Sequence, residues 1–507
     1  MSQAHPPFKH PDAGPHDREL LGHVRPPGWR NPRPRDPYHL LVIGAGAAGL
    51  AAARGAAALG ATVALVERDL LGGDCLNYGC VPSKPLIRTA RVYADMRNAA
   101  NYGACVPSDI RVDFAMAMER MRRIRARIGR TDSAQRLAEA GIDVFFGAAR
   151  FASGDAVDVD GTRLRFKKAL IATGSRSMLP TIPGLSEAGY LTNETVFDLT
   201  SLPASLLVIG GGPIGCELAQ ALARFGSRVV IAHSAPLFLP KEERDAAQMV
   251  ADALARDGVE VHLNTTVVDV GVEGGKKYVE TINDGNVATI AVDHIMTGIG
   301  RVPAVEGLEL EAAGVAYDAH RGIRVDDFLA TTNRSVYAAG DVCLEHQFVD
   351  TANASARIAV RNALLLGRKR MSALTIPWCT YTDPEVAHVG LYVRQARERG
   401  IPVKTYTVPM HDIDRAIADG EEDGFVKIHV RDRTDTILGA TVVARHAGEM
   451  INGISLAMVA GIGLSTVARV IHTYPTQADA IKMAAEAHAR SRRSPFARWL
   501  SRRWINR

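Results

Sequence analysis

Cysteine is scarce in this chain: there are six among 507 residues, and Cys105, Cys216, Cys343 and Cys379 each stand alone. Such a count does not make a disulfide-stapled secreted scaffold, and with no second cysteine pair no zinc site or other metal-ligand set is expected. Long apolar runs are lacking too. A bilayer span needs about 18 apolar residues, whereas the best stretch, 454–464, is shorter and broken by glycines, so no transmembrane segment is expected. The amino terminus has no apolar run behind a basic start, which argues against a secretory signal and places the chain in the cytoplasm. Charge of one sign is also in short supply. The net charge is +5, yet 490–507 alone carries seven arginines and no acid, so the remainder is slightly acidic. A body without a basic field gives no basis for nucleic-acid binding.

What is present is glycine, 46 residues of it against 13 phenylalanines, within an ordinary globular balance of 47% hydrophobic and 23% charged residues. At this length about three domains are expected. Residues 1–37, with nine prolines and four histidines, read as a disordered Pro/His-rich leader. Order begins at Tyr38 with a short apolar strand pattern, followed by a glycine turn and an alanine-rich helix. The same grammar returns at 205–209, with a helix to about residue 225. Two strand–turn–helix units imply two nucleotide-binding domains in an α/β fold. Segment 114–139 reads as Arg-rich helix, and 147–171 and 261–295 as short strands separated by turns. Strands at 426–430 and 437–443 beside a helix at 448–460 form a further domain.

The first turn reads Gly44-Ala45-Gly46-Ala47-Ala48-Gly49, with Glu67 closing the next strand. Glycines let the backbone turn and approach a pyrophosphate, the helix N-terminus offers free N–H groups, and the acid accepts from the adenosine ribose hydroxyls. The second turn reads Gly210-Gly211-Gly212-Pro213-Ile214-Gly215, and His233 stands where the acid would be. Loss of the acid leans towards NADPH over NADH, and a plain loop histidine fits equally well. Between these turns runs Gly72-Gly73-Asp74-Cys75-Leu76-Asn77-Tyr78-Gly79-Cys80-Val81-Pro82-Ser83-Lys84. Its two cysteines lie just upstream of a helix expected at 84–96, which places Cys80 near a helix N-terminus, where a thiolate is stabilised. Such a pair can switch between disulfide and dithiol; two idle thiols are the alternative.

These segments, together with Ala172-Thr173-Gly174 and Tyr337-Ala338-Ala339-Gly340-Asp341, resemble the flavin-dependent pyridine nucleotide–disulfide oxidoreductases, the family of dihydrolipoamide dehydrogenase, glutathione reductase and mercuric ion reductase, over roughly residues 38–489. The resemblance implies an α/β fold with two Rossmann-like nucleotide-binding domains, for FAD and NAD(P)H, plus a C-terminal α+β dimerisation domain that forms a homodimer. The corresponding boundaries are 38–190 and 311–375 for the FAD-binding domain, 191–310 for NAD(P)H, 376–489 for dimerisation and 490–507 for a separate tail. By the same resemblance Cys80 is the thiol next to the flavin and Cys75 the one that meets substrate. Lys84 and Glu217 flank the flavin near N5, Asp341 binds the ribityl and phosphate part of FAD, and Thr173-Gly174 close over the cofactor, with Gly73 and Gly300 completing the cofactor-binding set. Electrons then pass from NAD(P)H through FAD and the Cys80/Cys75 pair to an acceptor, in the service of cell redox homeostasis. Independently, Glu217 in the first turn of a nucleotide-binding helix is oddly placed beside an anionic pyrophosphate; it is either a partner for Lys84 or an ordinary exposed acid.

The acceptor is argued from the C-terminal region. Members of the family with disulfide substrates carry a His-Pro there with an acid a few residues on. This chain has His472-Thr473-Tyr474-Pro475 followed by Asp479, so Tyr474 takes the base's position. A phenol with a pKa of about 10 is a poor base at neutral pH. Tyrosine at this place, with the stretch 376–385, resembles mercuric ion reductase, and paired thiolates suit soft Hg(II). No Cys-x-x-Cys domain precedes the body, and no vicinal cysteine pair ends the chain. The expected function is therefore mercuric reductase-like, with a dihydrolipoamide dehydrogenase-like enzyme, another disulfide or quinone reductase, or a nucleotide transhydrogenase as alternatives. A nucleotide-binding module without turnover would have no need of a reactive cysteine pair. In the tail Phe496, Trp499, Leu500 and Trp504 recur at helical spacing among arginines; this suits weak peripheral contact with an anionic membrane, and a solvated end is the favoured reading.

Overall fold

The computed structural model describes residues 14–107, 109–365 and 367–492, with Trp499 and 503–505. The chain forms two compact units, one of Met1–Gly210, Ala221–Ala232 and Thr266–Leu374, the other of Gly211–Gln220, His233–Thr265 and Thr375–Arg507.

The first unit is organised around the strand Tyr38–Ile43, which lies between Val63–Glu67 and Thr162–Ile171, parallel to both. Leu40 and Val42 pack into one core and Tyr38, Leu41 and Ile43 into another on the opposite face. A parallel strand covered on both sides is apolar at nearly every position, which is why 40–43 reads as a continuous hydrophobic run after His39. Ile142–Phe146 extends the sheet on one side. Ala156–Val159 and Ala149–Ser153 add antiparallel strands on the other. The strand Val336–Ala338, far along the chain, returns to pair with Thr162–Ile171. The carboxyl ends of the parallel strands thus bring Gly44, Ala172 and Gly340 to one edge, the usual ligand crevice of such sheets. Helices Ala47–Ala58 and Val349–Leu364 share one of the two cores, through buried Ala52, Ala53 and Ala56 on one and Ala352, Ala356 and Ala359 on the other, small side chains that let helix backbones approach closely. Within the same unit, Ser205–Ile209 pairs in parallel with Arg228–Ala232 and His294–Thr297. Lys276–Asn283 and Asn286–Val292 form an antiparallel hairpin turning at Asp284-Gly285.

The second unit contains a five-stranded antiparallel sheet in the order Pro377–Thr380, Glu385–Gly390, Ile437–Ala444, Phe425–Arg431, Val403–Pro409, whose core is shared with helices Ala447–Val459 and Asp479–Ser491. Charged groups are sunk beside it. Lys427 Nζ lies 2.8 Å from Glu243 Oε2, and His429 Nε2 3.5 Å from Glu243 Oε1. Burial works to raise the Glu243 pKa, but His429 and Lys427 outweigh it and hold the carboxyl down at about 2.

The disordered leader expected over 1–37 is corrected by its described part. Pro15–Val24 is a helix, started by proline in its first turn, with Leu20 and Val24 buried in the main core. Trp29 then packs edge-on against Phe146 and donates to the Val144 carbonyl at 3.2 Å. Proline-rich composition hid a short helix whose apolar positions, four apart, find cover from sequence about fifty to a hundred residues away. Residues 1–13 and most of the amphipathic tail, including Phe496 and Leu500, lie outside the described residues; Trp499 and Trp504 are exposed.

Leu20→Ala removes a fully buried side chain and should cost about 2–5 kcal/mol, read as a lower midpoint of thermal unfolding with FAD content retained. Glu243, its pKa depressed in the folded state, contributes stability that is complete above about pH 4.5 and lost as pH falls towards 2. The gap in unfolding temperature between wild type and Glu243→Gln should therefore narrow steadily from pH 5 down to pH 2.5; a gap independent of pH would contradict this.

Candidate active site

The first glycine turn closes against its neighbours at backbone contact. Gly44 has φ +96°, and a Cβ there would come within 2.4 Å of the Ala172 carbonyl oxygen. One at Gly49 would sit 1.8 Å from the Gly44 oxygen. Gly73, in the cysteine segment, also has positive φ, and its Cβ would meet Gly46 Cα at 2.6 Å. Only glycine fits these contacts. The helix Ala47–Ala58 starts at Gly46 with no side-chain cap, so its first N–H groups face the crevice uncovered by any capping side chain. Glu67 is buried and pushed up by that burial, with N–H groups of Ala45 (2.7 Å) and Asp69 (2.8 Å) working against the shift. Its carboxylate keeps lone pairs for a ribose and also pins the turn itself.

Across the crevice, burial raises the pKa of Asp341, which accepts from Ser175 Oγ at 2.7 Å. Arg301 Nε donates to Ser175 Oγ at 2.8 Å, and its Nη2 lies 3.4 Å from Asp74 Oδ1. Asn193 Nδ2 donates to the same Asp74 oxygen at 2.8 Å. Thr173 Oγ1 donates to the Ala304 carbonyl at 2.7 Å, and Gly174 takes φ +72°, so this pair forms the turn that leaves the sheet. A glycine cradle at a bare helix N-terminus, a buried acid at Glu67 and a half-buried acid at Asp341 fit a dinucleotide such as FAD. Asp74, Ser175, Asn193 and Arg301 were not singled out from the sequence; the one available signal was that Arg301 directly follows Gly300.

Cys75 lies half-buried in the short helix Gly73–Asn77, and Cys80 is exposed as the first residue of helix Cys80–Asn98. The latter begins four residues earlier than the spacing suggested, so Cys80 stands in its first turn, with Lys84 one turn on along the same face. Cys75 donates a hydrogen bond to Cys80, and that bond, then burial and the negative charges of Cys80 and Asp74, push the Cys75 thiol up.

The second turn repeats the first. Gly210 has φ +104°, and a Cβ would meet the Gly298 oxygen at 2.5 Å. Gly212 accepts from Cys216 N–H in the helix Pro213–Phe225, which contains Gly215. His233 Nδ1 accepts from Gly211 N–H at 3.2 Å and its Nε2 points at the Leu237 carbonyl at 3.1 Å. Both ring nitrogens of His233 are thus engaged by the turn and the loop that follows it, and NADH and NADPH both stay open as donors. Glu217 is buried, which removes the reading of an exposed acid; its Oε1 accepts from Tyr381 N–H at 2.9 Å. Tyr474 is exposed, and its hydroxyl donates to Asp414 Oδ2 at 2.8 Å, which raises its pKa. The phenol's partner is therefore Asp414, sixty residues upstream, and not Asp479, which serves in the first turn of helix Asp479–Ser491. Among the described residues no group of three or more His, Cys, Asp or Glu is placed to hold a metal ion, and no helix is long and apolar enough to cross a membrane.

Comparison with known proteins agrees with this geometry. Residues 38–363 match the pyridine nucleotide-disulphide oxidoreductase family, and 376–485 match its dimerisation domain, which supports a homodimer. A mercuric reductase of Lysinibacillus sphaericus is 34% identical over 450 residues, 89% of this chain and 82% of the relative. A dihydrolipoyl dehydrogenase of Thermus scotoductus is 33% identical over 461 residues, 89% of this chain and 97% of the relative. Among solved structures, the Cu(II) complex of the HOCl-induced flavoprotein disulfide reductase RclA from Escherichia coli superposes with a TM-score of 0.79 at 31% identity, over 88% of this chain and 98% of that one. With the nucleotide cradles and the cysteine pair in place, the chain belongs to the pyridine nucleotide-disulphide oxidoreductase family and is an FAD-dependent oxidoreductase that uses NAD(P)H.

Proposed function

We propose that the acceptor is a thiophilic metal ion, Hg(II) or Cu(II), taken up by Cys75 and Cys80, with either NADH or NADPH as donor. The observation that carries this reading is Tyr474. A disulfide substrate leaves as a thiolate that needs a proton, and the phenol at that position, hydrogen-bonded to Asp414, has its pKa raised further from neutrality. A metal ion bound between thiolates needs no such proton. Asp74 beside Cys75 adds negative charge that opposes an anionic disulfide and tolerates a dication.

The Gly44–Gly49 turn and the helix behind it would hold the pyrophosphate of FAD, Glu67 its adenosine ribose and Asp341 its ribityl chain. When bound, FAD supplies the two-electron relay between nicotinamide and disulfide. Cys80, at a helix N-terminus, carries the thiolate that the helix dipole favours. Reduction of the Cys75–Cys80 disulfide breaks the S–S bond and frees both sulfurs to bind the metal. Each NAD(P)H then delivers the electron pair that takes Hg(II) to the metal, or a pair of Cu(II) ions to Cu(I), and releases one proton. The same reading places the enzyme in the cytoplasm, with any weak membrane contact confined to the Arg-rich tail.

With FAD-loaded enzyme, NAD(P)H oxidation should proceed catalytically when Hg(II) is added in excess small thiol, and Cys75→Ser or Cys80→Ser should lower it at least about a hundredfold, as loss of a group that binds the reacting atom does. Stoichiometric inhibition by Hg(II), with sustained turnover of lipoamide, would overturn the metal reading. Tyr474→His restores a base with a pKa near 6.5 and should raise lipoamide turnover at least about tenfold; no gain would show that the phenol is not what excludes dithiol substrates.

A further inference from the structure

The segment before residue 38 lies outside the region matched by the family, yet it is tied to the cysteine loop. Asp17, in helix Pro15–Val24, is buried at 7% exposure, and its Oδ1 accepts from Arg125 Nη2 at 2.8 Å. Arg125 is buried at 1% exposure and uses its other terminal nitrogen, Nη1, to donate to the Asn77 carbonyl at 2.9 Å. Arg122 Nε supports the far oxygen of Asp17 at 3.5 Å. Asn77 is the last residue of the short helix that carries Cys75, where carbonyls have no partner within the helix and a cation is favourable. Its own side chain donates back to Gly73 O (2.9 Å) and Leu71 O (3.1 Å), and Leu71 N–H donates to Val24 O at 3.1 Å. The backbone between the two cysteines is therefore clamped from within by Asn77 and from outside by the Asp17–Arg125 pair.

We infer that Asp17, acting through Arg125, is a positioning residue for the redox pair: it fixes the Asn77 carbonyl so that Cys75 and Cys80 stay within bridging distance in both oxidation states. A disulfide requires its Cβ atoms at about 3.5–4.5 Å, and its stability against reduction follows the effective concentration of one thiol at the other. Loosening the segment lowers that concentration and shifts the equilibrium towards the dithiol. A surface ion pair could not hold such a geometry, but a buried arginine with both terminal nitrogens committed loses much when one partner is removed. The inference rests on the reading that Cys75 and Cys80 cycle between disulfide and dithiol.

The test equilibrates FAD-loaded protein with mixtures of reduced and oxidised glutathione, in which the disulfide and two glutathione thiols exchange for the dithiol and oxidised glutathione, followed by alkylation and mass measurement of the trapped fractions. Asp17→Asn should shift the midpoint about tenfold towards the dithiol, whereas Leu20→Ala, on the same helix and destabilising without touching the link, should leave it within twofold. Should Asp17→Asn fail to fold, Arg125→Lys, which keeps the charge but cannot span both Asp17 and the Asn77 carbonyl, carries the same expectation. An unchanged midpoint in the Asp17 or Arg125 variant, or an equal shift in Leu20→Ala, overturns the inference. A wild-type protein that forms no disulfide in any mixture overturns the reading beneath it as well.

Discussion

Backbone contact between the first glycine turn and the cysteine loop is the constraint on which the site depends. Gly73 lies so close to Gly46 that a single added carbon would meet Gly46 Cα at 2.6 Å. The turn is in turn pressed on the end of the neighbouring strand through Gly44 and Ala172. With no side chains between them, the loop bearing Cys75 and Cys80 takes its position directly from the parallel sheet, and thiols and nucleotide cradle are held in one frame. Rigid sheet ends are better platforms for such work than free loops, because a small displacement of a reacting sulfur is expensive in rate.

A polar chain fixes what the glycines leave loose. Asp341 at the end of one returning strand, Ser175, Arg301 and Asp74 are linked in series, and Asn193 holds Asp74 from another side. These groups come from five separate stretches of sequence, so Asp74, next to Cys75, is coupled to Asp341 at the far end of the chain of hydrogen bonds. The N-terminal helix adds a second brace from outside, with Asp17 and Arg125 reaching the same loop at Asn77.

Much of this was legible in the residues themselves. Glycine spacing announced both turns, because only glycine permits positive φ at Gly44 and Gly210 together with carbonyl contacts below 3 Å. The cysteine pair announced redox chemistry through its spacing. Two features stayed hidden for the same reason. Proline content in 1–37 spoke for disorder, and local sequence gave no sign that Leu20 and Val24 would be covered by distant helices. The family pattern sets Asp479 a few residues after Tyr474, whereas the hydrogen bond of the phenol goes to Asp414, which no local pattern announces.

The sequence by itself determined the fold class, the family and the two glycine turns, because each is carried by short motifs whose residues act within one local stretch of chain. Only the tertiary structure decided the partners: Ser175 and Arg301 for Asp341, Tyr381 for Glu217, Asp414 for Tyr474 and Arg125 for Asp17. It also decided that His233 is spent on Gly211 and Leu237. Hydrogen-bond partners across a core depend on which strands and helices are brought side by side, and that is set by the burial of whole elements, not by any local pattern of residues.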